Sequence, residues 1–206
     1  MRQALHEGSD TIHILRLLES MHKKDPGFTY LVAYDSEGRE CGFMWMTPVM
    51  RRMFELYGDI LYLDAMKRQL NSVHWPYFSV VLLDGFNKIA VAAEAIGCVE
   101  RIDTYIWMVK GALTMAPLVK RESIKVIFAD GLLSTKLLKE LRIEATCKLC
   151  LDTYHLLEID WPKEFGTSNW SRLKVDFKKL VFSGDEEAYN QNLEVCREKD
   201  RQLGKQ

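Results

Sequence analysis

Two aspartates, Asp64 and Asp130, each follow directly on a short apolar run of the sequence. The runs, residues 60–63 and 124–129, have the length and composition of buried strands. A carboxylate at the end of a buried strand is destabilising unless a metal ion or a basic partner compensates for it, or unless it is exposed at the rim of the sheet. Taken singly, either aspartate can be a solvated strand end, so this pattern alone leaves all three alternatives open.

The order of the predicted elements indicates how the two aspartates come together. Three successive strands are followed by alternating helices and strands (β-β-β-α-β-α-β-α), which predicts an α/β fold with a mixed sheet and helices on both faces. In that topology the first and fourth strands lie side by side and parallel, so Asp64 and Asp130 meet at neighbouring strand ends. The predicted strands are residues 60–64, 77–83, 88–95, 124–129 and 145–151, and the helices are residues 102–115 and 131–143.

Further helices and a hairpin are predicted on either side of this core. Apolar periodicity and turn residues predict them at the positions that follow. Before the core they are a helix over residues 10–22, a hairpin over residues 28–46 and a helix over residues 48–57. After it a helix begins in residues 153–161, a loop covers residues 162–170, and two helices divided at residues 182–185 cover residues 171–203. The predicted regions are therefore an N-terminal lead-in (1–57), the α/β core (58–165) and a helical segment (166–206).

Composition and charge narrow the classes of protein. The chain has 206 residues, of which 48% are hydrophobic, and a formal net charge of −1, so it can bury a sizeable core and is not a polycation. Binding to nucleic acid would depend on a local patch, for which Lys67 and Arg68 are the candidates. An odd number of scattered cysteines predicts a reducing compartment. Without a signal peptide or a membrane-spanning run, we expect an intracellular protein with no membrane partner.

The chemistry that paired aspartates support is that of a hard divalent cation. Two carboxylates brought close together repel each other, and one takes up a proton unless a cation lies between them. Oxygen ligands at a strand end suit Mg²⁺ or Mn²⁺, and ions held in this way activate a water or hydroxyl in phosphodiester chemistry. Asp64 and Asp130 are therefore the predicted metal ligands and catalytic residues.

Five segments of the chain, in the same order and at similar spacing, resemble the transposase domain of Mutator-like elements (MULE), a family that includes transposase-derived plant transcription factors. They are DPGFTYLVAYDSEGRECGFMWMTPVMRRMFELYGDILYLDA, GCVERIDTYIWMVKGAL, IKVIFADG, CKLCLDTYHLLE and FKKLVFSGDEEAYNQNLEV. The resemblance implies a ribonuclease H-like fold and a DDE-type site for two Mg²⁺ or Mn²⁺ ions, with Asp64 and Asp130 as the first two acids. The implied activity is DNA strand cleavage and transfer by a nuclear or cytoplasmic protein, either alone or as a homo-oligomer.

The sequence departs from the family pattern at three places. Residues 65–67 are Ala-Met-Lys where the family commonly has threonines and a tyrosine. Cys150 and His155, which match the family's Cys/His signature and are candidates for a supporting or structural role, are separated by four residues rather than two. The third acid, a glutamate, is not matched, and we expect the chain to stop before it. The available glutamates are Glu186, Glu187, Glu194 and Glu198.

Three functions therefore remain open from the sequence. The first is a transposase-derived DDE-type domain that is incomplete or inactive, because the third acid is not found. The second is a domesticated DNA-binding or regulatory protein without catalysis, and the third is a generic ribonuclease H-like nuclease. A zinc site at Cys147, Cys150 and His155 is a weaker alternative, because no fourth ligand is nearby in the sequence.

Overall fold

The computed structural model describes residues 2–66, 74–129, 135–151, 153, 157–158 and 161–203. The chain divides into two compact units, Met1–Cys150 and Leu151–Gln206. The division predicted from the sequence, at residues 57/58 and 165/166, follows the order of the elements rather than compactness, and it stays a prediction.

The first unit is built on a mixed sheet. Its described strands are β1 (Thr29–Tyr34), β2 (Glu40–Met46), β3 (Ile60–Met66), β4 (Tyr77–Leu83), β5 (Ile89–Gly97), β6 (Val126–Ala129) and β7 (Lys148–Leu151). They lie in the order β1-β2-β5-β4-β3-β6-β7. The neighbouring pairs β1–β2, β2–β5, β5–β4 and β4–β3 are antiparallel, whereas β3 and β6 are parallel. The predicted α/β fold and the parallel pairing of the first and fourth core strands are confirmed.

Two hairpin turns of the sheet are fixed by aspartate side chains. Asp35 Oδ1 accepts hydrogen bonds from the backbone N–H groups of Glu37 and Arg39, at 2.8 and 3.0 Å. Asp84 Oδ1 does the same for the N–H groups of Phe86 and Lys88, at 2.8 and 2.9 Å. Because such bonds reverse the chain locally, they set the register of the strands on either side, and the turn predicted at residues 84–87 is confirmed.

The described helices of the first unit are α1 (Arg2–Lys24), α2 (Pro48–Tyr57), α3 (Ile102–Met115) and α4 (Thr135–Leu141). The bounds predicted for α2 and α3 are confirmed. The helix predicted over residues 10–22 begins eight residues earlier than predicted, and of the helix predicted over residues 131–143 the described part is residues 135–141. Thr47 caps the start of α2, since its hydroxyl accepts the Met50 N–H at 3.1 Å, and Pro48 occupies the first helical position. Among the described residues, no helix combines the length and the apolar character needed to cross a membrane.

The sheet carries a separate hydrophobic cluster on each face. Adjacent residues of a strand point to opposite faces, and Met44 belongs to the main core whereas Phe43 belongs to a second cluster. The main core takes residues from α2, α3 and α4, and in it Phe78 packs edge-on against Tyr105 with ring centroids 5.5 Å apart. The second cluster contains Leu18 of α1. The prediction of helices on both faces is confirmed.

The second unit is helical and packs around an aromatic cluster. Its described helices are α5 (Trp161–Phe165), α6 (Thr167–Val181) and α7 (Glu186–Leu203). The division into two helices at residues 182–185 is confirmed, but the predicted loop at residues 162–170 is wrong. Trp161, Phe165 and Trp170 pack together there, Pro162 is tolerated in a first helical turn, and the break is confined to Gly166, whose φ is +74°.

Candidate functional site

The pairing of β3 with β6 fixes the surroundings of the predicted carboxylate pair. Leu63 lies opposite Ala129 in the parallel ladder. These residues immediately precede Asp64 and Asp130 in the sequence. Asp130 lies outside the described residues, so its pairing with Asp64 stays a prediction.

Asp64 is an exposed carboxylate near the end of β3. Its Oδ1 accepts a hydrogen bond from the Ala65 N–H at 2.8 Å, and its partner across the ladder on β4 is Ser79. Within the described ranges Asp64 forms no ion pair. Its second oxygen is therefore available to a ligand from solvent.

An aromatic pair lies next to Asp64 on the same face of the sheet. The rings of Tyr62 and Phe128 stack at 4.8 Å between centroids, with an angle of 9° between their planes. Tyr62 is two residues before Asp64, so both side chains project from the same face of β3. Such a pair contributes about 0.5–1.5 kcal/mol beyond its burial. The stack therefore helps to hold β3 and β6 in the register that the predicted site requires.

A row of polar side chains crosses the sheet from Asp64. Ser79 lies opposite both Asp64 on β3 and Glu94 on β5, and Glu94 lies opposite Trp45 on β2. Residues directly opposite each other share a face of the sheet, so Asp64, Ser79, Glu94 and Trp45 form one row, called here the polar row. With strands about 4.8 Å apart, the backbones of Asp64 and Glu94 are separated by about 10 Å.

Glu94 differs from Asp64 because both of its carboxylate oxygens have a donor. Trp45 Nε1 donates to Oε2 at 2.7 Å, and the Tyr77 hydroxyl donates to Oε1. Burial, together with the hydrogen bond to Glu94 and the charge of that residue, raises the pKa of Tyr77. Tyr77 therefore remains a hydrogen-bond donor at neutral pH. Glu94 ties β2, β4 and β5 together and is not a free third acid.

Glu94 is a residue of this face that the sequence pattern does not mark as part of a site. The signal was a lone charged residue within IAVAAEAIG, an otherwise apolar strand. Such a residue is costly in a sheet unless it is partnered. Its partners, Trp45 and Tyr77, lie on two other strands, so the sequence indicates that a partner is needed but not which residue supplies it.

The described residues fit a divalent cation only in part. Asp64 offers the hard oxygen ligand that Mg²⁺ or Mn²⁺ prefers. Among the described residues, no group of three or more His, Cys, Asp or Glu side chains is placed to hold a metal ion. One ligand is therefore in place at the predicted site, and Asp130 would supply the next.

The other predicted site residues fall into three groups. Lys67, Arg68 and His155 lie outside the described residues, and their roles stay predictions. Cys150 is half-buried in β7. Burial, and then the neighbouring Cys150 thiol, raise the pKa of Cys147. The alternative third acids Glu186, Glu187, Glu194 and Glu198 all lie on α7 of the second unit.

Comparisons with known proteins do not decide the family. No family model matches the chain, and no curated protein matches it significantly. The resemblance to the MULE transposase domain therefore stays a prediction that depends on the segments quoted above.

Proposed function

We propose that this chain is a transposase-derived DNA-binding domain that holds Mg²⁺ or Mn²⁺ at Asp64 and Asp130 without efficient DNA cleavage. The observation that carries the proposal is the parallel, in-register pairing of Leu63 with Ala129, each one residue before an aspartate. A ribonuclease H-like fold is part of the proposal. The meander of β3, β4 and β5, followed by β6 parallel to β3, supports it.

The residues around Asp64 have distinct roles in this proposal. Asp64 gives its free oxygen to the cation while the Ala65 N–H holds the other oxygen. The Tyr62–Phe128 stack keeps the two strand ends in register. The cation, when bound, would supply activation of a water and stabilisation of a leaving oxygen on phosphorus. Lys67 and Arg68 would attract the phosphate backbone of DNA.

Weak catalysis follows from the number of acids at the site. Glu94, the nearest other acid in the polar row, has both oxygens occupied by Trp45 and Tyr77. In-line attack on a phosphodiester requires the reacting groups to be held precisely, and a displacement of about 1 Å already costs roughly a hundredfold in rate. A site with two carboxylates can thus bind a cation and still be a poor catalyst.

A second candidate is a DNA-binding or regulatory protein that needs no metal. It is favoured by residues 65–67, Ala-Met-Lys, which stand where the family commonly has threonines and a tyrosine after the first acid. The two candidates differ in one respect: only in the first does the cation bind at Asp64.

Calorimetric titration with Mn²⁺ tests the proposed site. We expect weak binding to the full chain that disappears in Asp64→Asn and in Asp130→Asn, because two carboxylates form an incomplete set of ligands. Asp103→Asn is the matched control, since Asp103 is also an exposed aspartate but forms an ion pair with Lys136 at 2.7 Å. Unchanged Mn²⁺ affinity in both site variants would reject the metal site and leave the second candidate.

Incubation of the same proteins with double-stranded DNA and Mn²⁺ tests whether the chain binds DNA without cleaving it efficiently. We expect DNA binding that weakens with salt, with a shallower salt dependence in the double variant Lys67→Ala/Arg68→Ala, because each phosphate contact adds about 0.9 to the logarithmic slope. We expect little nicking. Robust nicking that vanishes in Asp64→Asn would show that the site is catalytically complete.

A further inference from the structure

Two cysteines lie opposite each other at the end of the β2–β5 ladder. Gly42 pairs with Gly97 in antiparallel register, and the next step along the ladder brings Cys41 opposite Cys98. The Cys98 N–H donates to the Cys41 carbonyl oxygen at 2.9 Å. The Cα atoms of such a hydrogen-bonded pair are about 5.5 Å apart. Disulfides join Cα atoms most often about 5.5–6 Å apart, but their Cβ atoms lie only about 3.5–4.5 Å apart, closer than is usual in a hydrogen-bonded pair. The two thiols are near enough to hydrogen-bond to each other, so a bond between them requires the two Cβ atoms to approach.

The pair is accessible to a small molecule. Both cysteines are half-buried, and they line an open cavity of about 300 Å³ together with Tyr34, Asp103 and Trp107. A cavity of this size is at the lower end of the range for small-ligand sites. A compact thiol or disulfide reagent can therefore approach the pair without prior unfolding.

The Cys41 thiol is in close contact with its partner. Burial, then the adjacent Cys98 thiol and the charge of Asp35, raise the pKa of Cys41. The thiolate is the attacking form in disulfide exchange, so the reaction at Cys41 requires loss of its proton.

We propose that Cys41 and Cys98 form a reversible disulfide by exchange with a low-molecular-weight disulfide of the glutathione type. The thiolate of one of the two cysteines attacks one sulfur of that disulfide, whose sulfur–sulfur bond breaks, and one small thiolate leaves. The other cysteine then loses its proton, attacks the protein sulfur of the mixed disulfide and releases the second small thiolate. Two protein thiols are oxidised and one small disulfide is reduced to two thiols, which take up the two protons.

The other cysteines are less suited to this reaction. Cys147 and Cys196 are buried, which favours an inert thiol over a reactive one. Cys150 is half-buried, but its near neighbour in the sequence is the buried Cys147. Cys41 and Cys98 are thus the pair in which both sulfurs belong to half-buried residues.

A bond between Cys41 and Cys98 would have a structural consequence. The β1–β2 hairpin joins the rest of the sheet through the β2–β5 ladder, whose described register runs from Gly42 to Trp45. The disulfide would close this ladder covalently at one end. Because it closes a long loop of the chain, it restricts the unfolded state and should raise thermal stability. This inference does not depend on the proposed DNA-related function.

Peptide mapping of the full chain tests the proposal. The protein is equilibrated with buffers of increasing oxidised-to-reduced glutathione ratio, free thiols are alkylated, and tryptic peptides are identified by mass spectrometry. The expected product is a cross-link between peptides 40–51 and 89–101. Each of the five cysteines falls in its own tryptic peptide, the others being residues 143–148, 149–163 and 180–197, so the map is unambiguous.

Thermal melts supply the matched comparison. Oxidation should raise the melting temperature of the wild type and of the control Cys150→Ser by roughly 5–15 °C. The same treatment should not raise it in Cys41→Ser or in Cys98→Ser. If either variant fails to fold, the map of the wild type still decides, since it requires no substitution.

Three results would overturn the proposal. One is the formation of separate glutathione adducts at Cys41 and Cys98 with no cross-link between them. Another is a cross-link that joins Cys147 to Cys150 or links two chains. A third is Zn²⁺ binding that blocks the oxidation and is lost in Cys41→Ser, which would make the pair a metal site.

Discussion

Asp64 and Glu94 lie in the same row on the same face of the sheet, yet they have opposite surroundings. Glu94 is half-buried and receives hydrogen bonds from Trp45 and Tyr77, whereas Asp64 is exposed and receives one from the N–H of its own neighbour. The neighbours of an acid, rather than its place in the row, therefore decide what it can do. Glu94 holds strands together, whereas one oxygen of Asp64 has no donor among the described residues.

The difference between the surroundings of Glu94 and Asp64 can be expressed as a free energy. A hydrogen bond to a charged group contributes about 1.5–3 kcal/mol, and a buried donor that loses its partner costs about 1–3 kcal/mol. Substitutions at exposed positions away from such contacts usually stay within about 0.5 kcal/mol. The two acids should therefore respond very differently to substitution.

The largest expected effect is that of Glu94→Ala. Removing the carboxylate leaves Trp45 Nε1 and the Tyr77 hydroxyl without their acceptor. We expect the free energy of unfolding to fall by about 2–4 kcal/mol, measured by urea denaturation. Ser79→Ala in the same row is the control and should cost less than about 1 kcal/mol. Equal losses in the two variants would mean that the hydrogen bonds of Glu94 add nothing to stability.

A smaller effect is expected for Tyr77→Phe, about 1–2 kcal/mol at neutral pH. The pH dependence of this loss tests the protonation state of Tyr77 directly. The pKa of Tyr77 is raised in the folded protein, so above the usual tyrosine value of about 10 the unfolded chain releases the phenol proton while the folded chain keeps it. The stabilisation is complete below about pH 10 and is lost as the pH rises above it.

The measurement is the difference in unfolding free energy between wild type and Tyr77→Phe at several pH values. From pH 7 to 9 the difference should be constant. Above about pH 10 it should shrink by about 1.4 kcal/mol per pH unit, because the wild type alone carries this proton linkage. A difference that stays flat up to pH 11 would contradict the raised pKa of Tyr77, which burial and then the hydrogen bond to Glu94 produce.

The sequence predicts those features that depend on local pattern. Apolar runs and the turn at residues 84–87 predict the strands β3 to β6, and the order of the elements predicts that β3 and β6 are parallel neighbours. It was less informative where distant residues decide the structure. Glu94 receives its donors from two other strands, and residues 162–165 and 167–170 are helical because Trp161, Phe165 and Trp170 pack together. A loop-like composition does not reveal such packing.

The two candidate pairs of reactive side chains differ in how far the sequence reveals them. Asp64 and Asp130 can be paired from the sequence because each ends an apolar run and the predicted topology places those runs side by side. Cys41 and Cys98 carry no such signal, since they become neighbours only through the register of β2 with β5. Register depends on the pattern of both strands and on the turns that join them, so a cross-strand pair of small residues is seen first in the structure.

Of these substitutions, Asp64→Asn should change stability least. Because Asp64 is exposed, the substitution should change the free energy of unfolding by less than about 0.5 kcal/mol. With about 10 Å between the backbones of Asp64 and Glu94, the double variant Asp64→Asn/Glu94→Ala should lose the sum of the single losses, within about 0.5 kcal/mol. Urea denaturation of the four proteins gives this coupling energy directly. Coupling well above that limit would mean that the two acids belong to one interacting site, and Glu94 would then have to be reconsidered as a third acid.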